Sequence, residues 1–238
     1  MAAVQIRPWW WAAAGAVLLL LASLLSPLSA AGWAAGVAYL IVSSALLSRG
    51  LGRREAERFG AANAVTATRS MLIGVVTATI VSSLSQPVAP LFLVGIVIPT
   101  LALDAVDGWV ARRTGSATPL GARFDMEADA FLLLVLCAYD VRIVGAWILA
   151  IGLMRYAYVA AGWLLPWLAA PVPFRYWRKV VTAVCGIVLT AIATGALPSP
   201  VDVLIGAIAL GLLIESFGRD VIWLARMNSR ARILVTSS

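Results

Sequence analysis

Residues 88–139 read VAPLFLVGIVIPTLALDAVDGWVARRTGSATPLGARFDMEADAFLLLVLCAY. Two apolar runs, about 88–111 and 121–139, flank a short connector that carries Arg112, Arg113 and Gly115, and five acids crowd near the connector. Each run approaches the roughly 20 residues that an α-helix needs to cross a bilayer. Neither shows the alternation of a barrel strand, and both are rich in Leu, Val and Ala, so the stretch reads as a helical membrane hairpin.

Outward from this hairpin, six further apolar runs follow the same pattern, near 9–28, 32–48, 70–86, 143–167, 179–197 and 202–226. The expectation is an all-α integral membrane protein of eight spans. Of the 238 residues 62% are hydrophobic and 12% charged, whereas a soluble domain carries about a quarter charged residues. The only marked break in composition divides the chain into an N-terminal two-span hairpin (1–48), a basic interfacial segment (49–62), a six-span core (63–227) and a tail (228–238). In the segment, Arg53, Arg54 and Arg58 beside Leu51 and Phe59 suit a short helix at headgroup depth, with a solvated basic loop as the alternative.

Sixteen of the 18 Lys and Arg fall on one side if both termini are cytoplasmic; only Arg142 falls on the other, and Arg155 is mid-span. This is the positive-inside pattern, and it makes the protein a multi-pass protein of the cell membrane. It also explains the net charge of +7 without nucleic acid, which is not expected as a partner. Arg7, the first run and the small residues Ser29, Ala30 and Ala31 also resemble a secretory signal peptide; the length of the run and the span that follows it favour a retained helix. Tryptophans such as Trp9, Trp10, Trp163 and Trp177 lie near run ends, as interfacial anchors do.

Histidine is absent, which excludes imidazole bases, His metal ligands and a Ser-His-Asp triad. Cys137 and Cys185 sit inside apolar runs and read as small buried side chains. The chemistry therefore rests on carboxylates. On a helix of about 100° per residue, Asp104, Asp107, Gly108 and Ala111 share one face, and Asp125 and Asp129 are about 40° apart on the next helix. Glu127 points about 200° away from Asp125 and stays outside the site. Four converging aspartates repel and require cations; hard divalent ions with oxygen ligands suit them, and two would neutralise four carboxylates. Small residues at Gly108, Ala111 and Gly121 leave the backbone open to a phosphorylated ligand.

The stretch 104–129 also resembles the signature of the CDP-alcohol phosphotransferase (CDP-alcohol phosphatidyltransferase) family, D-x-x-D-G-x-x-A-R-x8-G-x3-D-x3-D, at all eight fixed positions. Asn63, Thr66 and Arg69 are similar to the N-x-x-T-x-x-R that opens that family's core. The resemblance covers the six-span core and not the two preceding spans. It implies metal ligation by Asp104, Asp107, Asp125 and Asp129, with Asp129 also the general base, and Mg²⁺ or Mn²⁺, two ions, as cofactor. It implies nucleotide and diphosphate contacts at Asn63, Thr66, Gly108, Ala111, Arg112, Thr118 and Gly121. A homodimer enters by the same analogy.

The implied activity is transfer of a substituted phosphoryl group from a CDP-linked donor, CDP-diacylglycerol most often, to a polar alcohol, with release of CMP in phospholipid biosynthesis. Residues 111–121 look more like the branch that moves a CDP-amino alcohol onto a lipid acceptor, but Phe124-Asp125-Met126-Glu127 lacks the His-Gly pair that follows the Asp there. Arg155, Arg175, Arg178 and Lys179 are candidates to hold an anionic acceptor, against a topological or headgroup role. Two other classes remain open: a non-catalytic scaffold, and a cation-coupled transporter, which clustering of the acids at one end of the spans disfavours. A third alternative has the acids merely knitting two helices through Arg112, Arg113 and Arg123.

Overall fold

Prolines, serines and glycines decide where the helices start and stop. The computed structural model describes residues 2–52, 61–114, 119–172 and 176–236. Within them run eight long helices: α1 (Ala2–Leu25), α2 (Ala30–Gly52), α3 (Ala61–Ser82), α4 (Pro90–Thr114), α5 (Pro119–Val144), α6 (Leu149–Leu164), α7 (Tyr176–Ala193) and α8 (Ser199–Thr236). Short 3-10 turns at Ala146–Ile148 and Pro166–Ala169 flank α6. Proline opens α4 and α5, where its missing N–H would find no partner anyway. Ser29 caps α2 by accepting the Gly32 N–H at 3.0 Å, the usual reach of an N-cap oxygen. Gly145 and Gly195, with φ of 95° and 62°, end α5 and α7 in a conformation that a side chain would resist.

The described residues contain helices and no strand, which meets the all-α expectation. Helices α2, α3, α6, α7 and α8 each contain a stretch long and apolar enough to cross a bilayer, and α1 and α4 have shorter apolar stretches, Trp10–Leu25 and Pro90–Asp104. In α4 and α5 acids and arginines occupy the ends that face each other across the connector, which shortens their apolar parts. Large apolar side chains such as Leu25, Leu91, Trp163 and Leu164 are about four-fifths exposed, an outer surface suited to lipid and not to water. This is a multi-pass membrane protein. The basic segment 53–60 lies outside the described residues.

Helix α3 is the axis. In Val65–Ser82, 78% of the residues are buried, against 17–39% in the other four long apolar stretches. Its Ile73, Val76 and Ile80 join Leu93 and Val97 of α4, Leu132 and Leu136 of α5, and Cys185 and Leu189 of α7 in the main core. The two cysteines are thus buried apolar groups with free thiols.

The α2 and α3 backbones meet along a seam of small residues. A Cβ at Gly32 would lie 2.5 Å from the Ala78 carbonyl oxygen, and one at Gly36 would lie 2.9 Å from the Ala78 Cβ. Four-residue spacing of glycines is how helices approach closely in lipid, where apolar burial alone does not drive association. Polar contacts latch the seam: Ser82 Oγ donates to the Ala78 carbonyl at 2.7 Å and accepts the Ser29 N–H at 3.0 Å, and the Gln86 amide donates to the Pro27 carbonyl.

Gly32→Ala should lower stability by about 1–3 kcal/mol, because the added methyl group meets backbone that cannot yield. Gly211→Ala in α8, where nothing lies within 4 Å of the new Cβ, should be neutral or raise stability by up to about 1 kcal/mol. Unfolding of both variants in detergent micelles checks the contrast.

Candidate active site

Within Val65–Ser82 the single charged residue is Arg69, and its side chain is 1% exposed. A guanidinium in the most buried helix of a membrane bundle must be met by carboxylates. It is met by three. Asp104 of α4 accepts at 3.0 Å, and Asp125 and Asp129 of α5 complete the cluster. Asp125 and Asp129, four residues apart, sit one above the other on α5, so one fork-shaped cation can take both.

The carboxylates differ from the arginine in one respect that matters for chemistry. Arg69 is sealed from solvent, whereas Asp104, Asp125 and Asp129 are 22–34% exposed. Their free side lines a cavity of about 310 Å³, on which Arg155 of α6 and Arg178 and Lys179 of α7 also open. Arg155 is paired with Glu127, and Arg178 donates to Asp220 of α8 at 3.0 Å. The lining therefore mixes carboxylates, Asp220 included, with cations, and Thr182 and Ser216 add hydroxyls.

One oxygen from each of Asp104, Asp125 and Asp129 lies within 4.8 Å of the others. An all-carboxylate donor set, open on the cavity side, fits a hard divalent cation. The residues present therefore suit the Mg²⁺ or Mn²⁺ that the sequence implies.

Of the aspartates picked out in the sequence, the structure brings Asp104, Asp125 and Asp129 together. Asp107, Gly108, Ala111 and Arg112 are on α4 near its end and Asn63 is in the first turn of α3, but their side chains lie outside the described set, as do Thr118 and Arg175 altogether. Thr66 is buried, three residues before Arg69 on α3, and Gly121 lies in the first turn of α5. Three of the four candidate acceptor ligands, Arg155, Arg178 and Lys179, share the cavity with the aspartates. Glu127 is absent from the lining and contacts the site through Arg155. The residue that the sequence reading leaves out of the acidic cluster is Arg69: divalent ions answer the aspartates there, with Arg112, Arg113 and Arg123 as the alternative, whereas the buried partner comes from α3. Its signal is a lone cation at the edge of the apolar run 70–86.

Residues 59–215 match the family model described as CDP-alcohol phosphatidyltransferase, a stretch that begins before α3 and ends within α8. The chain belongs to the CDP-alcohol phosphatidyltransferase family. Nothing among the curated proteins or the solved structures matches it. CDP-alcohol phosphatidyltransferases are transferases that move a phosphatidyl group between a CDP-alcohol and an acceptor, and they typically depend on a divalent metal. The aspartates 104, 125 and 129 lie in the matched segment, as do Arg69, Arg155, Arg178 and Lys179; α1 and α2 precede it.

Arg69→Ala leaves three neighbouring carboxylates without their shared partner and should cost about 3 kcal/mol or more. Arg69→Lys should recover only part, since an ammonium cannot fork between carboxylates. Denaturant unfolding of the purified protein in micelles, with a metal chelator present, reads both.

Proposed function

We propose that the chain transfers a substituted phosphoryl group from a CDP-linked lipid, CDP-diacylglycerol in the reading we favour, to a polar anionic alcohol, releasing CMP at the cytoplasmic side of the cell membrane. The observation that carries this reading is the shared cavity, lined by Asp104, Asp125 and Asp129 and by Arg155, Arg178 and Lys179. Lys179, with Arg155 and Arg178 beside their partners Glu127 and Asp220, offers N–H donors that suit a sugar phosphate or glycerol phosphate better than an uncharged lipid acceptor.

In this mechanism Asp104, Asp107, Asp125 and Asp129 would hold Mg²⁺ or Mn²⁺, two ions by charge, which when bound neutralise the donor diphosphate and polarise the phosphorus under attack. Asp129 takes the proton of the acceptor hydroxyl as its oxygen bonds to the phosphorus of the donor's lipid phosphate. The bond from that phosphorus to the bridging oxygen breaks, and CMP leaves with the electron pair. Arg155, Arg178 and Lys179 hold the acceptor's anionic group and so orient its hydroxyl. Asn63, Thr66, Gly108, Ala111, Arg112, Thr118 and Gly121 contact the nucleotide and diphosphate. Arg69 keeps the aspartates gathered from behind.

Topology follows from the same premises. Eight spans, divided as a two-span hairpin and a six-span core, with both termini and the acidic cluster cytoplasmic, let the lipid tail remain in the bilayer while nucleotide and alcohol come from water. The resemblance of residues 111–121 to the amino-alcohol branch supports a second reading, in which a CDP-amino alcohol is the donor and diacylglycerol the acceptor.

Purified protein with Mn²⁺ should release CMP from a CDP-lipid when a phosphorylated alcohol is added, and EDTA should stop it. Asp129→Asn should reduce kcat by on the order of 100-fold or more, with the fold retained. Release of CMP only from CDP-choline or CDP-ethanolamine with diacylglycerol would select the second reading. No CMP from any donor would end the enzyme reading.

A separate measurement concerns the basic wall. Arg155→Ala and Lys179→Ala should each raise the acceptor KM about tenfold or more, the loss of one charge-assisted contact, while the donor KM stays near wild type. An unchanged acceptor KM would remove these residues from acceptor binding.

A further inference from the structure

The family match begins at residue 59, so α1 and α2 stand outside it. Yet α2 is seated on α3, the helix that carries Arg69, along the seam of Gly32 and Gly36. Three residues beyond Gly36, Tyr39 continues that seam and also touches α5. On one side its ring lies against Gly74 of α3, where a Cβ would be 3.5 Å from the Tyr39 Cδ1. On another it stacks on Phe131 of α5, with centroids 4.9 Å apart and planes inclined by 20°. Phe131 follows Asp129 by two residues and so holds α5 from the face turned away from the carboxylate.

We infer that Tyr39 is a positioning residue for the Arg69–aspartate cluster: its ring, packed against Gly74 of α3 and stacked on Phe131 of α5, braces from outside the α3–α5 pair in which Arg69 meets Asp125 and Asp129. The N-terminal hairpin is thereby part of the catalytic machinery and not an accessory anchor. Ion pairs are directional at short range, so the α3–α5 gap decides whether one guanidinium spans both carboxylates. An aromatic ring is a rigid spacer, and stacked pairs hold their separation. Leucine at 39 would keep an apolar contact with Gly74 but lose the stack, and α3 and α5 would move relative to each other. A displacement near 1 Å is enough to cost on the order of 100-fold in a catalytic step.

For turnover the inference rests on the transferase reading, but its structural half does not. The test uses the full chain in nanodiscs, with Tyr39→Leu, Tyr39→Phe and, as a control, Val42→Ala at an exposed position of α2. Steady-state CMP release should show kcat reduced about tenfold or more in Tyr39→Leu, with donor and acceptor KM within about threefold of wild type. Tyr39→Phe, which keeps the stack, should retain at least about a third of kcat, and Val42→Ala should match wild type. A double-mutant cycle of Tyr39→Leu with Arg69→Lys, read by thermal unfolding without metal or substrate, should be non-additive. Wild-type kcat in Tyr39→Leu, failure of Tyr39→Phe to rescue, or strict additivity in the cycle would each overturn the positioning role. Should the wild-type chain release no CMP at all, the transferase reading falls, and the cycle alone decides the role of Tyr39.

Discussion

Three carboxylates from two helices meet one guanidinium from a third, and the packing of the bundle answers to that meeting. Unit charges about 4 Å apart repel by about 4 kcal/mol at the effective dielectric of a partly buried site. Asp104, Asp125 and Asp129 would therefore drive α4 and α5 apart if nothing lay between them. Arg69 supplies a planar charge that never loses its proton and offers several N–H groups at fixed angles. Because it must be sheltered to act so strongly, α3 is the helix that the others surround.

Burying α3 in a bilayer poses a packing problem, since lipid tails solvate apolar side chains as well as other helices do. The solution is close backbone approach. Gly32 and Gly36 bring α2 against Ala78 and Ser82, and Gly74 admits Leu40 and Tyr39 from the other direction. On the opposite flank, Gly152 of α6 abuts the backbone of Leu134 in α5, which brings Arg155 within reach of Glu127, between Asp125 and Asp129 in the chain. Small residues thus set the helix spacings, and the spacings set which charges can pair.

The parts of this arrangement that repeat along one helix were legible in the sequence. Apolar runs gave the helices, and the four-residue interval between Asp125 and Asp129, read with helix periodicity, placed both on one face of one helix. The same angles kept Glu127 away from Asp125. What periodicity does not encode is which helix lies beside which. Arg69 was visible as the end of a short motif but not as the hub, because its partners are 35 to 60 residues away in the chain. The Glu127 partner of Arg155 was hidden for the same reason. Hydropathy does not mark α5 as a membrane-length apolar stretch, since its early turns carry Arg123, Asp125, Glu127 and Asp129; a helix that builds the site is the one least like a plain membrane segment.

Arg69 also bears on the order in which such a protein can be made. Helices entering a membrane must settle before soluble ions can be gathered at their interior, and a naked trio of aspartates would stall that settling. With a cation built into α3, one of the three carboxylate charges is met from within the bundle. Under the transferase reading, an arriving divalent ion then meets carboxylates already gathered but partly spent on arginine. Its apparent affinity is a difference between two cation contacts and not the strength of one.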